Sequence, residues 1–321
     1  MKNLTKVALV AIPFALAAGS ANGETFVRMI TGPAGGAWYP FGAKMMELAQ
    51  KDLKDVKTSS GPGGGVGNVR NIDKGSAELG WTFAFTASDG YGGKDVFKQA
   101  HKNVRHFANL YPGILQTAVP ANSPIKSYAD FKREKFNFSP GKLVFSGNVT
   151  VERLLKLYGV TYDGIKAAGG TIHRVGYSDS VALMKDGHID AFVALTNVPN
   201  SSFIALDFQP GMRLLSIEKD KLDAFTKENG GFFAETIPGG TYKGIKEDVT
   251  TLASATVLIA SAALDNELAY QLTASLWKNH DELVKVNKTW SEVKLADALK
   301  GAAIPVHPGA LKYYKEKGVA K

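Results

Sequence analysis

Short apolar segments alternate with segments of helical hydrophobic spacing along the first quarter of the chain. Residues 26–31 are apolar and β-branched and lead into a glycine-rich turn. Beyond that turn, apolar residues recur at the spacing of one helix face: Phe41, Met45, Leu48, Ala49 and Leu53. The same order follows at once, with a strand at 56–59, a glycine loop at 61–67, a helix carrying Val69 and Ile72, and a strand at 79–83. This alternation predicts parallel strands joined by crossover helices, with both glycine loops at the carboxyl ends of strands.

The middle of the chain repeats this pattern. We expect a strand at 143–146, then a helix at 151–158 capped by Asn148 or Thr150. A further helix capped by Ser178 or Ser180 precedes a strand at 189–194. These elements predict a second α/β lobe.

Two extended segments, 115–120 and 231–236, are the candidates for an outgoing and a returning strand between the lobes. The chain then completes the first lobe with an apolar stretch at 249–260, a helix at 266–279, and a terminal helix after His307. We therefore predict one lobe from 24–118 and 236–321, and another from 119–235.

The first 23 residues have the features of a secretory signal peptide. Lys2 and Lys6 precede an apolar run at 7–18, and small residues follow at 21–23. The run is shorter than the roughly 20 residues that a membrane-spanning helix needs. We expect cleavage, and a mature chain that is not inserted in a membrane; the alternatives are an uncleaved anchor or a buried first helix.

Charge and cysteine content narrow the function. The sequence has 38 Lys and Arg against 30 Asp and Glu, a net charge of +8 that becomes +6 without Lys2 and Lys6. The basic residues are dispersed, which argues against nucleic-acid binding and suits the attraction of small anions. With no cysteine, disulfides, thiolate metal sites and lipidation of an N-terminal cysteine are excluded.

The turn from Thr31 to Pro40 is the first candidate binding site. Its glycines allow backbone N–H groups to approach a ligand, and Pro40 suits the first turn of a helix, whose free N–H groups attract an anion. Trp38 and Tyr39 either pack the helix start or wall a ligand cleft. Asn68, after the second glycine loop, either caps a helix or contacts the ligand.

Enzyme motifs are not found in the sequence. Neither glycine loop has the lysine and hydroxyl of a phosphate loop or the glycine spacing of a dinucleotide site. The segment from Gly176 to Ser180 lacks the last glycine of a nucleophile elbow. The six histidines are dispersed without metal-ligand spacing. We therefore predict no catalysis, no cofactor and no metal.

A set of dispersed motifs resembles a known family. They are Thr31-Gly32, Gly35-Gly36, Tyr39-Pro40, Gly64, Asn68, Lys185-Asp186-Gly187, Ile237-Pro238-Gly239 and His307-Pro308-Gly309-Ala310. Together they resemble the TAXI family of solute-binding proteins, the periplasmic receptors of TRAP transporters. The resemblance implies a type II-like periplasmic binding protein fold, α/β with two lobes joined by crossing hinge strands. It also implies a monomeric receptor in the periplasm that carries a small organic acid to TRAP membrane permease subunits.

The resemblance also implies which residues contact the ligand. From the first lobe these are Gly35, Gly36, Tyr39, Gly64, Gly65 and Asn68, and from the second lobe they are Asn148, Thr150, Asn197 and Pro199. Where relatives often carry polar residues, this chain has Gly65, Phe83 and Phe85, and Trp38 replaces a common tyrosine.

These departures predict a cleft that is more apolar than a glutamate site, with Trp38, Trp81 and Phe83 beside the ligand. We expect a carboxylate without an amino group and with an apolar or aromatic body. A periplasmic enzyme or a sensor subunit with the same fold is the alternative, since a fold does not fix a function.

Overall fold

The computed structural model describes residues 24–321, so the predicted signal peptide lies outside the described residues. Helices and strands alternate along most of the chain. The strands are β1 Thr25–Ile30, β2 Val56–Gly61, β3 Leu79–Phe83, β4 Val104–Pro120, β5 Asn137–Ser139, β6 Thr171–Ile172, β7 Ala191–Thr196, β8 Met212–Leu214, β9 Phe232–Ile237 and β10 Val249–Ser261. The helices are α1 Trp38–Asp52, α2 Gly65–Asp73, α3 Ala84–Gly92, α4 Ser146–Leu157, α5 Tyr162–Ala167, α6 Tyr177–Lys185, α7 Ser201–Phe208, α8 Lys219–Glu228, α9 Asn266–Lys278, α10 His280–Val286 and α11 Pro308–Glu316.

One mixed sheet runs through the molecule in the order β2-β1-β3-β10-β4-β7-β5-β6, with β9 beside β10 and β8 beside β4. Parallel pairs lie at its two ends, β2-β1-β3 and β7-β5-β6. The pairs that involve β4 or β10 are antiparallel. The α/β prediction is thus confirmed, and the division into two lobes stays a prediction.

The two long strands β4 and β10 connect the parallel ends of the sheet. The first part of β4 pairs with β10, and its last part pairs with β7 and β8. The second part of β10 pairs with β3, whereas its first part pairs with β9. The outgoing strand predicted at 115–120 is therefore the end of β4. The predicted returning strand at 231–236 corresponds to β9, which pairs with β10 and not with β4.

Several sequence-based predictions in the middle of the chain are wrong. Residues 143–146 are not a strand; the strand is β5, several residues earlier, and α4 already begins at Ser146. Neither Asn148 nor Thr150 caps α4, because its N-cap position is Phe145. The N-cap of α6 is Gly176 instead of Ser178 or Ser180. In each case the helix begins before the residue that has capping chemistry.

Two buried histidines fasten the end of the chain to β4. His106 Nε2 lies 2.9 Å from the carbonyl oxygen of Ala298. His307 caps α11: its Nδ1 accepts from the Gly309 N–H at 3.2 Å, while Nε2 lies 3.1 Å from the Leu264 carbonyl. Because Nδ1 must accept, the ring is neutral in this arrangement. Burial lowers the pKa of both histidines, although the hydrogen bonds to the carbonyls oppose this effect.

We expect the protein to lose stability as the pH falls below about 6.5, the ordinary histidine pKa. The unfolded chain binds protons on these two rings at a higher pH than the folded chain does, so acid favours unfolding. Thermal unfolding measured from pH 8 to pH 5 checks this. His307→Asn, which keeps a capping oxygen, should flatten the pH dependence, and the exposed control His188→Asn should leave it unchanged. An unaltered slope in His307→Asn would contradict the assignment.

Candidate functional site

Six helices begin at the carboxyl ends of the strands, around one gap in the molecule. The helices α1, α2 and α3 follow β1, β2 and β3, while α4, α6 and α7 begin on the opposite side. An unpaired first turn exposes N–H groups and carries partial positive charge. The arrangement favours an anion in the gap without the need for a charged side chain.

The gap encloses a cavity of about 20 Å³, space for about one water molecule. Its lining residues are Pro33, Trp38, Gly64, Gly65, Phe83, Phe145, Ser146, Gly147, Tyr177, Leu195 and Thr196. Aromatic rings come from both sides, and none of these lining residues is charged. Because small-molecule sites occupy roughly 300–1,000 Å³, the gap must widen to admit a solute.

Hydrogen bonds across the gap hold it closed. The Gly35 carbonyl accepts from Asn200 Nδ2, Ser201 Oγ and Ser202 Oγ, each at 3.2 Å. The Val144 carbonyl, just before α4 on the opposite side of the gap from α2, accepts from the N–H groups of Val66 and Gly67 in the first turn of α2, at 3.1 and 3.2 Å. The two glycine loops thus contact the opposite side of the gap, one through a carbonyl and the other through N–H groups.

Hydroxyl groups meet between α3 and α4. Thr86 Oγ1 donates to Ser146 Oγ at 2.9 Å, and Thr82 Oγ1 donates to the Gly65 carbonyl at 3.0 Å. The amide N–H groups of Ser146 and Gly147 have no hydrogen-bond partner within the described chain. These two amides and the Ser146 hydroxyl are the polar groups that α4 presents to the cavity.

Four of the predicted site residues line this cavity: Trp38, Gly64, Gly65 and Phe83. Gly35 and Gly36 lie at its edge. Gly35 has φ +82°, and a Cβ atom there would lie 2.8 Å from Ser202 Oγ. Tyr39 is 44% exposed and does not line the cavity.

The remaining predicted residues have other neighbours. Trp81 is fully buried and donates its indole N–H to Met29 Sδ at 3.3 Å. Thr150 donates to the Ser146 carbonyl within α4, and Asn148 contacts Arg174 and Tyr162.

At the end of β7, Asn197 donates to the Pro199 carbonyl and accepts from Thr196 and Asn200. Pro199 itself is exposed and lines a separate groove. The structure therefore does not bring the side chains of Trp81, Asn148, Thr150, Asn197 or Pro199 to the cavity.

Asn68 has no side-chain donor left for an anionic ligand. Its Nδ2 donates to the carbonyls of Ile30, Thr31 and Trp81 at 2.7–3.2 Å, and its Oδ1 accepts from the Gly64 N–H at 3.1 Å. The side chain is fully buried. It ties β1 and β3 to the second glycine loop.

We expect Asn68→Ala to lower the free energy of unfolding by about 2–4 kcal/mol, because it leaves several buried backbone groups without partners. Denaturant unfolding measures this. Asn71→Ala on the same helix, partly exposed and without a side-chain hydrogen bond, should change stability by no more than about 0.5 kcal/mol. Normal stability with lost solute binding would instead make Asn68 a ligand contact.

Basic side chains are engaged outside the cavity. Arg28 pairs with Glu78, and Lys44 pairs with Glu47. Arg70 donates to the Val96 carbonyl, and Arg174 lies 4.8 Å from the Tyr162 ring centroid. Neutral donors are therefore what the cavity offers to an anion.

Sequence reasoning predicted contacts from the second lobe but did not find the residues that line the cavity on that side. Phe145 and Ser146 fall within the strand predicted at 143–146, whereas Phe145 is the N-cap of α4 and Ser146 and Gly147 belong to its first turn. Tyr177 lies in the segment that was interpreted as an incomplete nucleophile elbow and as a helix start, but not as a ligand contact.

The described residues were compared with the requirements of a membrane-spanning helix and of a metal-ion site. Between residues 24 and 321, no helix combines the length and the hydrophobicity needed to cross a membrane. In the same range, no group of three or more His, Cys, Asp or Glu residues is arranged to hold a metal ion.

Comparison with known proteins identifies solved structures that share this fold. MatC from Rhodopseudomonas palustris, described with bound malate, is 12% identical with a TM-score of 0.55, over 92% of this chain and 99% of that one. The periplasmic binding protein BugD is 13% identical with a TM-score of 0.54, over 93% and 99%. A protein described as a periplasmic transporter is 14% identical with a TM-score of 0.51, over 92% and 93%.

These similarities show that the chain has the fold of periplasmic solute-binding proteins. The family model described as NMT1-like matches residues 29–318. Because that match extends over nearly all of the described residues, the protein belongs to the NMT1-like family.

Proposed function

We propose that this protein is a periplasmic receptor that captures a small organic anion between two lobes and delivers it to a TRAP-type permease, as a TAXI-type member of its family. The lobes are those predicted from the sequence, 24–118 with 236–321, and 119–235. The observation that carries the proposal is the closed gap at the strand ends, with helix N-termini on both sides and no charged lining residue. Such a gap can bind and release a solute by opening and closing.

The ligand proposed is a carboxylate without an amino group. Free N–H groups at the start of α4 can hold a carboxylate. An ammonium group would be buried without an acidic partner, and cation–π contact with the rings would offset only part of its desolvation cost. The malate described in the structural neighbour MatC supports a carboxylate ligand in this fold.

Native mass spectrometry of the purified protein is the first test, because it detects a solute retained from the cell. We expect a bound acid. Thermal unfolding with a panel of organic acids should then give a stabilisation of roughly 2.7 kcal/mol at about 100 times the dissociation constant. If no acid binds, the receptor proposal fails, and if a bound acid is chemically converted, the protein is an enzyme.

Delivery and location are tested separately. N-terminal sequencing of the protein from a periplasmic fraction should begin near Glu24. Proteoliposomes that contain a TRAP permease should take up the acid only when the receptor is present and without ATP. A strict ATP requirement would exclude a TRAP partner.

A further inference from the structure

Two pairs of aromatic rings face each other across the cavity. On one side, Trp38 and Phe83 have ring centroids 4.8 Å apart and are tilted by 45°. On the other side, Phe145 and Tyr177 meet edge to face at 5.5 Å. Trp38 begins α1 and Phe83 ends β3, whereas Phe145 is the N-cap of α4 and Tyr177 begins α6. The pairs therefore belong to opposite sides of the gap.

Two further aromatic rings pack against the first pair and restrict its motion. Trp38 stacks on Trp81 at 5.8 Å, and Phe83 stacks on Phe85 at 6.2 Å with planes only 16° apart. Rings that are themselves stacked cannot turn freely, so this side of the cavity keeps its shape when the gap opens. Rigid aromatic surfaces are suited to flat apolar groups.

The groups that line the cavity limit the number of carboxylates that the ligand can carry. The first-turn N–H groups of α2 already bind the Val144 carbonyl, and Asn200 caps α7 from within. The amides of Ser146 and Gly147 lie side by side at the start of α4 without a partner in the described chain, as do the single amides of Trp38, Gly65 and Tyr177 at the starts of α1, α2 and α6. The two adjacent amides of α4 can hold one carboxylate, whereas no cationic side chain lines the cavity to offset the desolvation of a second one.

We propose that the solute is a planar aromatic acid with a single carboxylate. Its ring lies between the Trp38–Phe83 pair and the Phe145–Tyr177 pair, and its carboxylate lies at the start of α4. This inference rests on the proposed receptor function and specifies its ligand. It separates the protein from a receptor for amino acids or dicarboxylates.

Isothermal titration calorimetry with matched acids tests the inference on protein stripped of retained solute. Benzoate is compared with cyclohexanecarboxylate for planarity and with phthalate for a second charge; 3-phenylpropanoate is compared with phenylalanine for the amino group. We expect affinity ratios of about threefold to tenfold for planarity. For the added ammonium or carboxylate, we expect more than about tenfold.

Phe83→Leu provides the matched variant. It keeps an apolar side chain at the cavity but removes the stacked ring, so it should abolish the preference for benzoate over cyclohexanecarboxylate. Phe97→Leu is the control, since Phe97 is buried beside His101, outside the cavity lining. A change in Trp38 fluorescence on addition of benzoate, absent in Trp38→Phe, gives an independent readout.

The outcomes separate this inference from the receptor proposal. Tighter binding of phthalate or phenylalanine than of the matched monocarboxylate overturns the inference and leaves the receptor function standing. Equal binding of cyclohexanecarboxylate removes the aromatic requirement. If none of these probes binds, the ligand class is wrong, and native mass spectrometry then decides whether the receptor function fails as well.

Discussion

Gly64→Ala should weaken solute binding by about tenfold or more while the protein remains folded. An added Cβ atom would lie 2.4 Å from Phe145 Cδ1 and 2.7 Å from the Val144 carbonyl oxygen. Both atoms belong to the opposite side of the gap, so the methyl group can be accommodated only if the two sides move apart. The backbone at Gly64 is extended, a conformation that alanine adopts without strain.

The expected size of this effect follows from the closed contacts. Moving the sides apart breaks the bonds from α2 to the Val144 carbonyl and the contact of Thr86 with Ser146. A loss of about 1.4 kcal/mol from the closed form lowers the affinity tenfold. Calorimetry measures the affinity, and small-angle X-ray scattering should give a larger radius of gyration with solute present.

Gly61→Ala is the control for this variant. Gly61 ends β2, in the same loop region, and an added Cβ atom there meets nothing within 4 Å. Its binding and scattering should therefore match the unaltered protein. Wild-type affinity in Gly64→Ala would mean that the solute is bound with the gap open, and the proposed closure would be abandoned.

Sequence patterns predicted the periphery of the fold better than its centre. Apolar spacing and glycine turns placed β1, α1, β2, α2 and β3 within a few residues, because each is a local unit of strand, turn and helix. The start of α4 was misplaced because Phe145 has no capping side chain, and Leu143 and Val144 have a strand-like composition. The exposed fraction of Leu143 is 64%, which local sequence does not reveal.

Contacts were predicted from both lobes, but the predicted residues that line the cavity all come from one side, for a related reason. Trp38 and Gly64 lie in or next to glycine loops that stand out in the sequence, and Phe83 was identified as a departure from the family pattern. Tyr177 and Ser146 reach the cavity only because antiparallel β4 and β10 bring two distant parts of the chain together. Asn68 is a polar residue at the start of a helix, as a ligand contact often is. Only the positions of Ile30, Thr31 and Trp81 in the structure show that its side-chain N–H groups already donate to backbone carbonyls.

Arg153→Gln should also favour the open form, although Arg153 does not line the cavity. Arg153 on α4 reaches Asp89 on α3 with NH2 to Oδ2 at 2.5 Å, and Asp95 beyond α3 with NH2 to Oδ2 at 2.6 Å. Its guanidinium carbon also lies 5.6 Å from the Phe85 ring centroid. Burial alone would lower the pKa of Arg153, but its bonds to the two carboxylates raise it. The ion pairs connect the two predicted lobes at a distance from the solute.

The variant loses these bonds in the closed form only, because in the open form the three charged groups are separated and hydrated. A mostly buried, charge-assisted pair of this geometry stabilises the closed form by about 1–2 kcal/mol. We therefore expect the affinity to fall about fivefold to thirtyfold. The radius of gyration without solute should rise, and high salt should weaken binding by the unaltered protein more than by the variant.

Arg28→Gln is the matched control. Arg28 makes an ion pair of the same geometry, with NH2 to Glu78 Oε1 at 2.6 Å, but both partners lie within residues 24–118. Its loss should leave affinity and radius of gyration unchanged, since no contact across the gap depends on it. If both variants bind solute equally well, the Arg153 pairs do not contribute to closure. Because Arg153 touches none of the cavity-lining residues through a hydrogen bond, a fall in affinity confined to Arg153→Gln would show that solute binding is coupled to movement of α3 relative to α4.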